Sequence, residues 1–240
     1  MNAIQSRQTI TGFYADVRRR DRRDRAIWLC VFALGMAIFC STLPGCSMLP
    51  RGFSGAFEPT GQTFELSAAD IESAKDRSCW PSWITGDDAA DLAAAHTALK
   101  AAGAPVVQRR TEVTKFAVTL RKSVSVPPDF DTRSEGDQAR LLAHEYVHVC
   151  QRKRMGDADF EAAVALSAGR WRLETAAYAM TAHARTVQGQ TATQIVDWAD
   201  AKVGKFRDDY ALHDIDPTQY EEHTRAIWLE SSKDARKTSP

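Results

Sequence analysis

The 240-residue sequence predicts an α+β fold, mainly helical, with a small antiparallel sheet placed just before the helix that carries residues 141–151. Three observations predict it. Helical spacing of apolar residues recurs on both sides of one short window dense in Val, Thr and Phe. Prolines and a polar turn close that window. Helix-like and strand-like segments do not alternate as repeated βαβ units would require. At 44% hydrophobic and 26% charged residues, the composition argues against disorder throughout.

The folded domain is expected over residues 64–240. Its first helix starts at Ser67, followed three residues later by Asp70 in a capping-box-like arrangement, and "CWPSWITGDD" (residues 79–88) breaks it. An alanine-rich helix from Asp87 to Ala102 stops at Gly103. From Ala104 to Pro128 the partial alternation of "APVVQRRTEVTKFAVTLRKSVSVPP" predicts two or three strands, ended by Pro127 and Pro128. The turn "DFDTRSEGD" offers Ser134 or Asp137 as the cap of a helix that begins near Gly136 and runs to Gly156. A long helix follows from about Asp157 to Thr186, interrupted or kinked near Gly169. Two more are expected, near Thr191 to Tyr210 and Thr218 to Ser232, the last opening after Pro217.

Ahead of this domain the chain changes character. Of the 31 basic and 31 acidic side chains, seven arginines and three aspartates lie in the first 25 residues, which leaves 24 against 28 in the remainder. The remainder is therefore mildly acidic, and its charge does not suggest a nucleic-acid partner. Ala26 to Thr42, "AIWLCVFALGMAIFCST", carries no charge and leads into "LPGC" at Leu43 to Cys46. A basic segment, an apolar stretch and a small residue before a cleavage point describe an export signal. "LPGC" resembles the bacterial lipobox, which implies lipid attachment at Cys46. Residues 1–46 are thus expected to be a signal and lipobox segment or a membrane anchor, with the domain facing the periplasm at the bacterial cell envelope. Residues 47–63, rich in Gly, Pro and Ser, are expected to be a flexible tether. Only Cys79 and Cys150 then remain in the domain, where one disulfide or two buried thiols fit equally well.

Within the helix, "LLAHEYVHVCQ" (Leu141 to Gln151) places His144 and His148 four residues apart, on one face and one turn along. Two imidazoles from a single rigid turn supply half of a tetrahedral zinc shell. Glu145 is rotated by ~100° from His144, which sets its carboxylate beside a metal rather than on it, the place for a general base. A catalytic zinc needs a third protein ligand. In "WRLETAAYA" (Trp171 to Ala179), Glu174 lies among Leu173, Ala176 and Ala177, where a buried carboxylate requires a partner. Glu161 and His183 compete for the role from roughly the opposite face of the same expected helix. Tyr178, four residues after Glu174, is the expected oxyanion stabiliser, with His213 and His223 as alternatives.

The runs "LLAHEYVHVCQRKRMG" and "WRLETAAYA" resemble the gluzincin zinc metallopeptidases, in particular small bacterial and phage proteins with His-Glu-x-x-His-x-x-Gln and a later Glu-x-x-Ala. The resemblance covers about Ala117 to Ala184. It implies a zincin-like domain, His144, His148 and Glu174 as ligands of a Zn2+ cofactor, Glu145 as catalytic base, and a peptide or protein substrate. Gln151 matches the glutamine of the pattern, where an outer-sphere or substrate role is expected. By analogy Phe116 to Leu120 is the edge strand that holds an extended peptide. Two other readings stay open: an envelope binding or structural protein with a non-catalytic zinc, and a peptidoglycan-peptide hydrolase.

Overall fold

The computed structural model describes residues 63–108 and 117–238. The export segment with Cys46, the tether up to residue 62, and Phe116 lie outside the described residues. Among those described, the protein is mainly helical, with seven α-helices and one small three-stranded mixed sheet. No described helix is long and apolar enough to cross a membrane.

The first helices form where capping chemistry starts them. Ser67 caps α1 (Ala68–Ala74), its side chain accepting from the Asp70 N–H. Asp87 caps α2 (Asp88–Ala101) in the same way, accepting from Ala90 N–H. Gly103, at φ +81°, turns the chain out of α2 into the sheet. There β3 (Ser123–Val126) lies between β1 (Val106–Gln108) and β2 (Val118–Leu120).

The sheet differs from the antiparallel one expected. β2 and β3 pair antiparallel across the short Arg121-Lys122 connection, but β1 lies on the far side of β3 and runs parallel to it, Val106 facing Val124. Alternation of side chains marks a strand and its faces; it does not encode which side of a neighbour the chain reaches. Val124 and Val126 are buried with Leu99, Phe130 and Leu142, so the sheet leans on α2 and on the next helix.

That helix, α3 (Glu135–Met155), is capped by Ser134, carries Glu135 and Asp137 in its first turn and Arg152, Lys153 and Arg154 in its last, and stops at Gly156, φ +84°. The expected long helix after it is two: α4 (Asp157–Ala165) and α5 (Ser167–Val187). The interruption expected near Gly169 falls at Leu166, with φ −99° and ψ 140°. Gly169 has a different task. It sits in the first turn of α5, where a Cβ would come 2.2 Å from the Ala163 carbonyl oxygen, so its bare Cα admits the end of α4.

α5 is the central helix. One face packs on α3 through small residues, Ala177 and Ala184 with Met180 meeting Ala143 and Val147. The pairings Gln188 with Arg140, Thr181 with His144 and Leu173 with Gln151 make the two antiparallel. The other face packs on α7 (Pro217–Thr238) and α6 (Ala192–Asp209), where Trp171 Nε1 donates to Thr224 and Trp228 Nε1 to the Thr175 carbonyl at 3.1 Å. Cys79 and Cys150 form a disulfide that ties the segment after α1 to α3.

Candidate metal centre

His144 and His148 point from α3 towards α5 because the buried stripe Ala143, Val147 and the small residues of α5 let the two helices close on each other. Both rings are buried. Their Nε2 atoms are 3.2 Å apart, and Glu174 Oε2, arriving from α5, lies 3.3 Å from the first and 3.4 Å from the second. A metal ~2.0–2.1 Å from each of three ligands at tetrahedral angles separates them by about 3.3–3.4 Å. The two edges to Glu174 fall on that spacing and the edge between the rings lies just under it.

The two contacts to Glu174 are poor as hydrogen bonds. A charge-assisted N–H···O bond closes to about 2.7–2.9 Å, yet Glu174 Oε2 is buried with no hydrogen-bond partner among the described residues. Three atoms of a metal-ligating kind thus surround one point, the carboxylate oxygen among them without a hydrogen-bond partner, and the residues present fit a metal ion of the zinc type.

The far sides of the rings set the tautomers. Gln151 Nε2 donates to the Leu173 carbonyl at 3.3 Å, which turns its Oε1 towards His148 Nδ1 at 2.9 Å. That oxygen accepts, so Nδ1 carries the proton and Nε2 of a neutral ring keeps its lone pair. Thr181 Oγ1 donates to the Ala177 carbonyl and stands 3.5 Å from His144 Nδ1, a longer version of the same arrangement. In the metal-free protein burial works against a charged His148, but the Glu174 carboxylate outweighs it and pushes the imidazole up to about 9. Burial likewise works against an ionised Glu174, and the two histidines outweigh it, holding the carboxyl well below the usual range.

Glu145 is buried beside this cluster without belonging to it. Its Oε2 accepts from Thr119 Oγ1 of β2 at 2.7 Å. Tyr178 packs edge-on against the His144 ring, centroids 4.6 Å apart, with its hydroxyl 3.3 Å from that of Tyr210 and Lys202 Nζ 4.9 Å from its ring centre. Burial pushes its phenol up, the Lys202 ammonium opposing.

The competing ligands stand apart. Glu161 is exposed on α4 and pairs with Arg121 and Arg152. Since α4 and α5 are separate helices, the angular comparison of Glu161 with Glu174 along one helix does not apply. His183 is half-buried and packs on Trp80 at 5.1 Å. His213 is exposed near Asp208, and His223 is half-buried on α7; neither joins the cluster.

Sequence reasoning missed two residues. Thr181 follows Glu174 by seven positions, a helical face that could have been extended one turn beyond Tyr178. Thr119 reaches Glu145 from 26 residues away, which no local pattern announces.

Near these groups a cleft of about 350 Å³, lined by Leu120, Arg121, Val149, Arg152, Lys153 and Asp157 among others, opens between the end of β2 and the last turn of α3, outside the three-donor cluster. Comparison with protein-family models, with curated proteins and with solved structures found no match to this chain.

Proposed function

We propose that the protein is a zinc-dependent peptidase with a zincin-like domain, anchored at the bacterial cell envelope through its N-terminal segment with Cys46 as the lipidated residue. The observation that carries the reading is the convergence of His144 Nε2, His148 Nε2 and Glu174 Oε2 at separations of 3.2–3.4 Å, beside a buried glutamate that is not one of them. When bound, zinc would supply Lewis acidity to a scissile carbonyl and would lower the pKa of the attacking water towards ~7.

The chain's own residues do the rest. His144, His148 and Glu174 hold the ion, and Gln151 keeps His148 in the ligating tautomer. Glu145 takes the proton of the attacking water and returns it to the leaving amine, work that a group of this kind speeds by ~10²–10⁴. Tyr178, on the face of α5 that carries Glu174, is the group we assign to the oxyanion, with Lys202 and Tyr210 beside it. β2, an edge of the sheet among the described residues and tied to α3 by Thr119, is the strand on which an extended peptide would pair.

The test is hydrolysis of quenched-fluorescent peptides of random sequence by the zinc-loaded full chain. Turnover abolished by a chelator, restored by zinc and lost in Glu145→Gln with zinc retained is the expected result. Equal turnover by wild type and Glu145→Gln would refute the reading. For the anchor, labelling by a palmitate analogue in a bacterial host should vanish in Cys46→Ser, and persistent labelling would remove the lipoprotein assignment.

A further inference from the structure

We propose that Thr119 is a positioning residue for Glu145, holding one carboxylate oxygen so that the other faces the reaction; the proposal rests on the peptidase reading above. Thr119 Oγ1 lies 2.7 Å from Glu145 Oε2 and 3.2 Å from the carbonyl oxygen of the same residue. A hydroxyl has one proton, and an ionised carboxylate is the stronger acceptor, so the shorter contact takes it.

Glu145 is 4% exposed. A carboxylate at that depth needs a donor, and among the described residues no side chain other than Thr119 donates to it. With Oε2 engaged, rotation of the carboxylate is stopped and Oε1 is the oxygen left to receive a proton. The donor itself is preorganised twice. Its β-branched side chain has few rotamers, and its backbone is set by pairing with Val124 of β3, the buried middle strand. The geometry also joins two parts of the site that local sequence separates. A peptide paired along the edge of β2 that meets no other described strand would bear on the same strand that aims the base.

The experiment uses the full-length zinc-loaded protein and the peptide it cleaves best from a random quenched-fluorescent mixture. Thr119→Val keeps the shape and removes the donor; Thr119→Ser keeps the donor. The expected result for Thr119→Val is kcat lower by ~10- to 100-fold with KM within about twofold of wild type and zinc content unchanged, while Thr119→Ser returns kcat to within about threefold. A readout independent of turnover is the urea midpoint: Thr119→Val should lower it more in the wild-type background than in Glu145→Leu, where only the backbone carbonyl at 3.2 Å remains as acceptor. An unchanged kcat in Thr119→Val, a Thr119→Ser variant as impaired as Thr119→Val, or the same drop in midpoint in both backgrounds would overturn the assignment and leave Thr119 a packing residue. Those outcomes leave Glu145→Gln inactive and the peptidase reading intact. No zinc-dependent hydrolysis by the wild type, or an active Glu145→Gln, overturns both.

Discussion

Replacing Gln151 with leucine tests how the ligand shell is tuned. The change keeps the volume and removes the acceptor that faces His148 Nδ1 at 2.9 Å, together with the donor that faces the Leu173 carbonyl at 3.3 Å. A neutral hydrogen bond of this kind contributes about 0.5–1.5 kcal/mol, and loss of an outer partner of a metal-ligating histidine weakens binding by about 10- to 100-fold, which corresponds to ~1.4–2.7 kcal/mol. Gln151 is half-buried, so water can replace part of what is lost, and the lower end, about tenfold, is the expected value. The opposite change works in the opposite direction. Gln151→Glu places a carboxylate against Nδ1–H, makes the imidazole a better donor to the metal, and should tighten binding. Competition with a fluorescent chelator measures both variants. Affinities equal to wild type in Gln151→Leu and Gln151→Glu would refute the assignment of the tautomer to Gln151.

Further outcomes follow from the same geometry. Cys79→Ala opens a cross-link between residues 71 apart in sequence; in the chain-entropy description a closure of that length stabilises by about 4 kcal/mol, read as a lowered urea midpoint, and an unchanged midpoint would contradict it. Gly169→Ala should destabilise by about 1–3 kcal/mol in spite of alanine's better helix propensity, because the new Cβ meets the Ala163 carbonyl; a gain in Tm would refute the close approach of α4 and α5. Zinc binding should release protons at pH 7. His148 is pushed up to about 9 in the metal-free protein and must lose its Nε2 proton to ligate, so apparent affinity falls about tenfold per pH unit as the pH drops below that value. Calorimetry in buffers of different ionisation enthalpy measures the release, and none at pH 7 would contradict the His148–Glu174 pairing.

Much of the centre could be read from the sequence because a helix converts short spacings into shared faces. His144, Glu145, His148 and Gln151 lie within two turns, and Ser134, Ser67 and Asp87 mark helix starts by the chemistry of capping. Glu174 was legible as one candidate among three, because a carboxylate among alanines and leucine on an apolar face needs a partner, and the resemblance of the Glu-x-x-Ala run chose it over Glu161 and His183. What escaped depends on chain direction and distance. The parallel placement of β1 beside β3 leaves no mark on the alternation of valines. The interruption near Gly169 was legible, but the close approach of the Ala163 carbonyl that its bare Cα admits was not. Cys79 and Cys150 were equally compatible with free thiols until the fold brought their Cα atoms to 5.5 Å.

The central claim is that a zinc ion is held by two imidazoles of α3 and one carboxylate of α5. Metal analysis of the full chain, exchanged against excess zinc and then desalted, tests it most directly when wild type, Glu145→Gln and Glu174→Ala are compared. The account predicts equimolar zinc in the first two and little in the third. Full zinc content in Glu174→Ala, or none in the wild type, would contradict it.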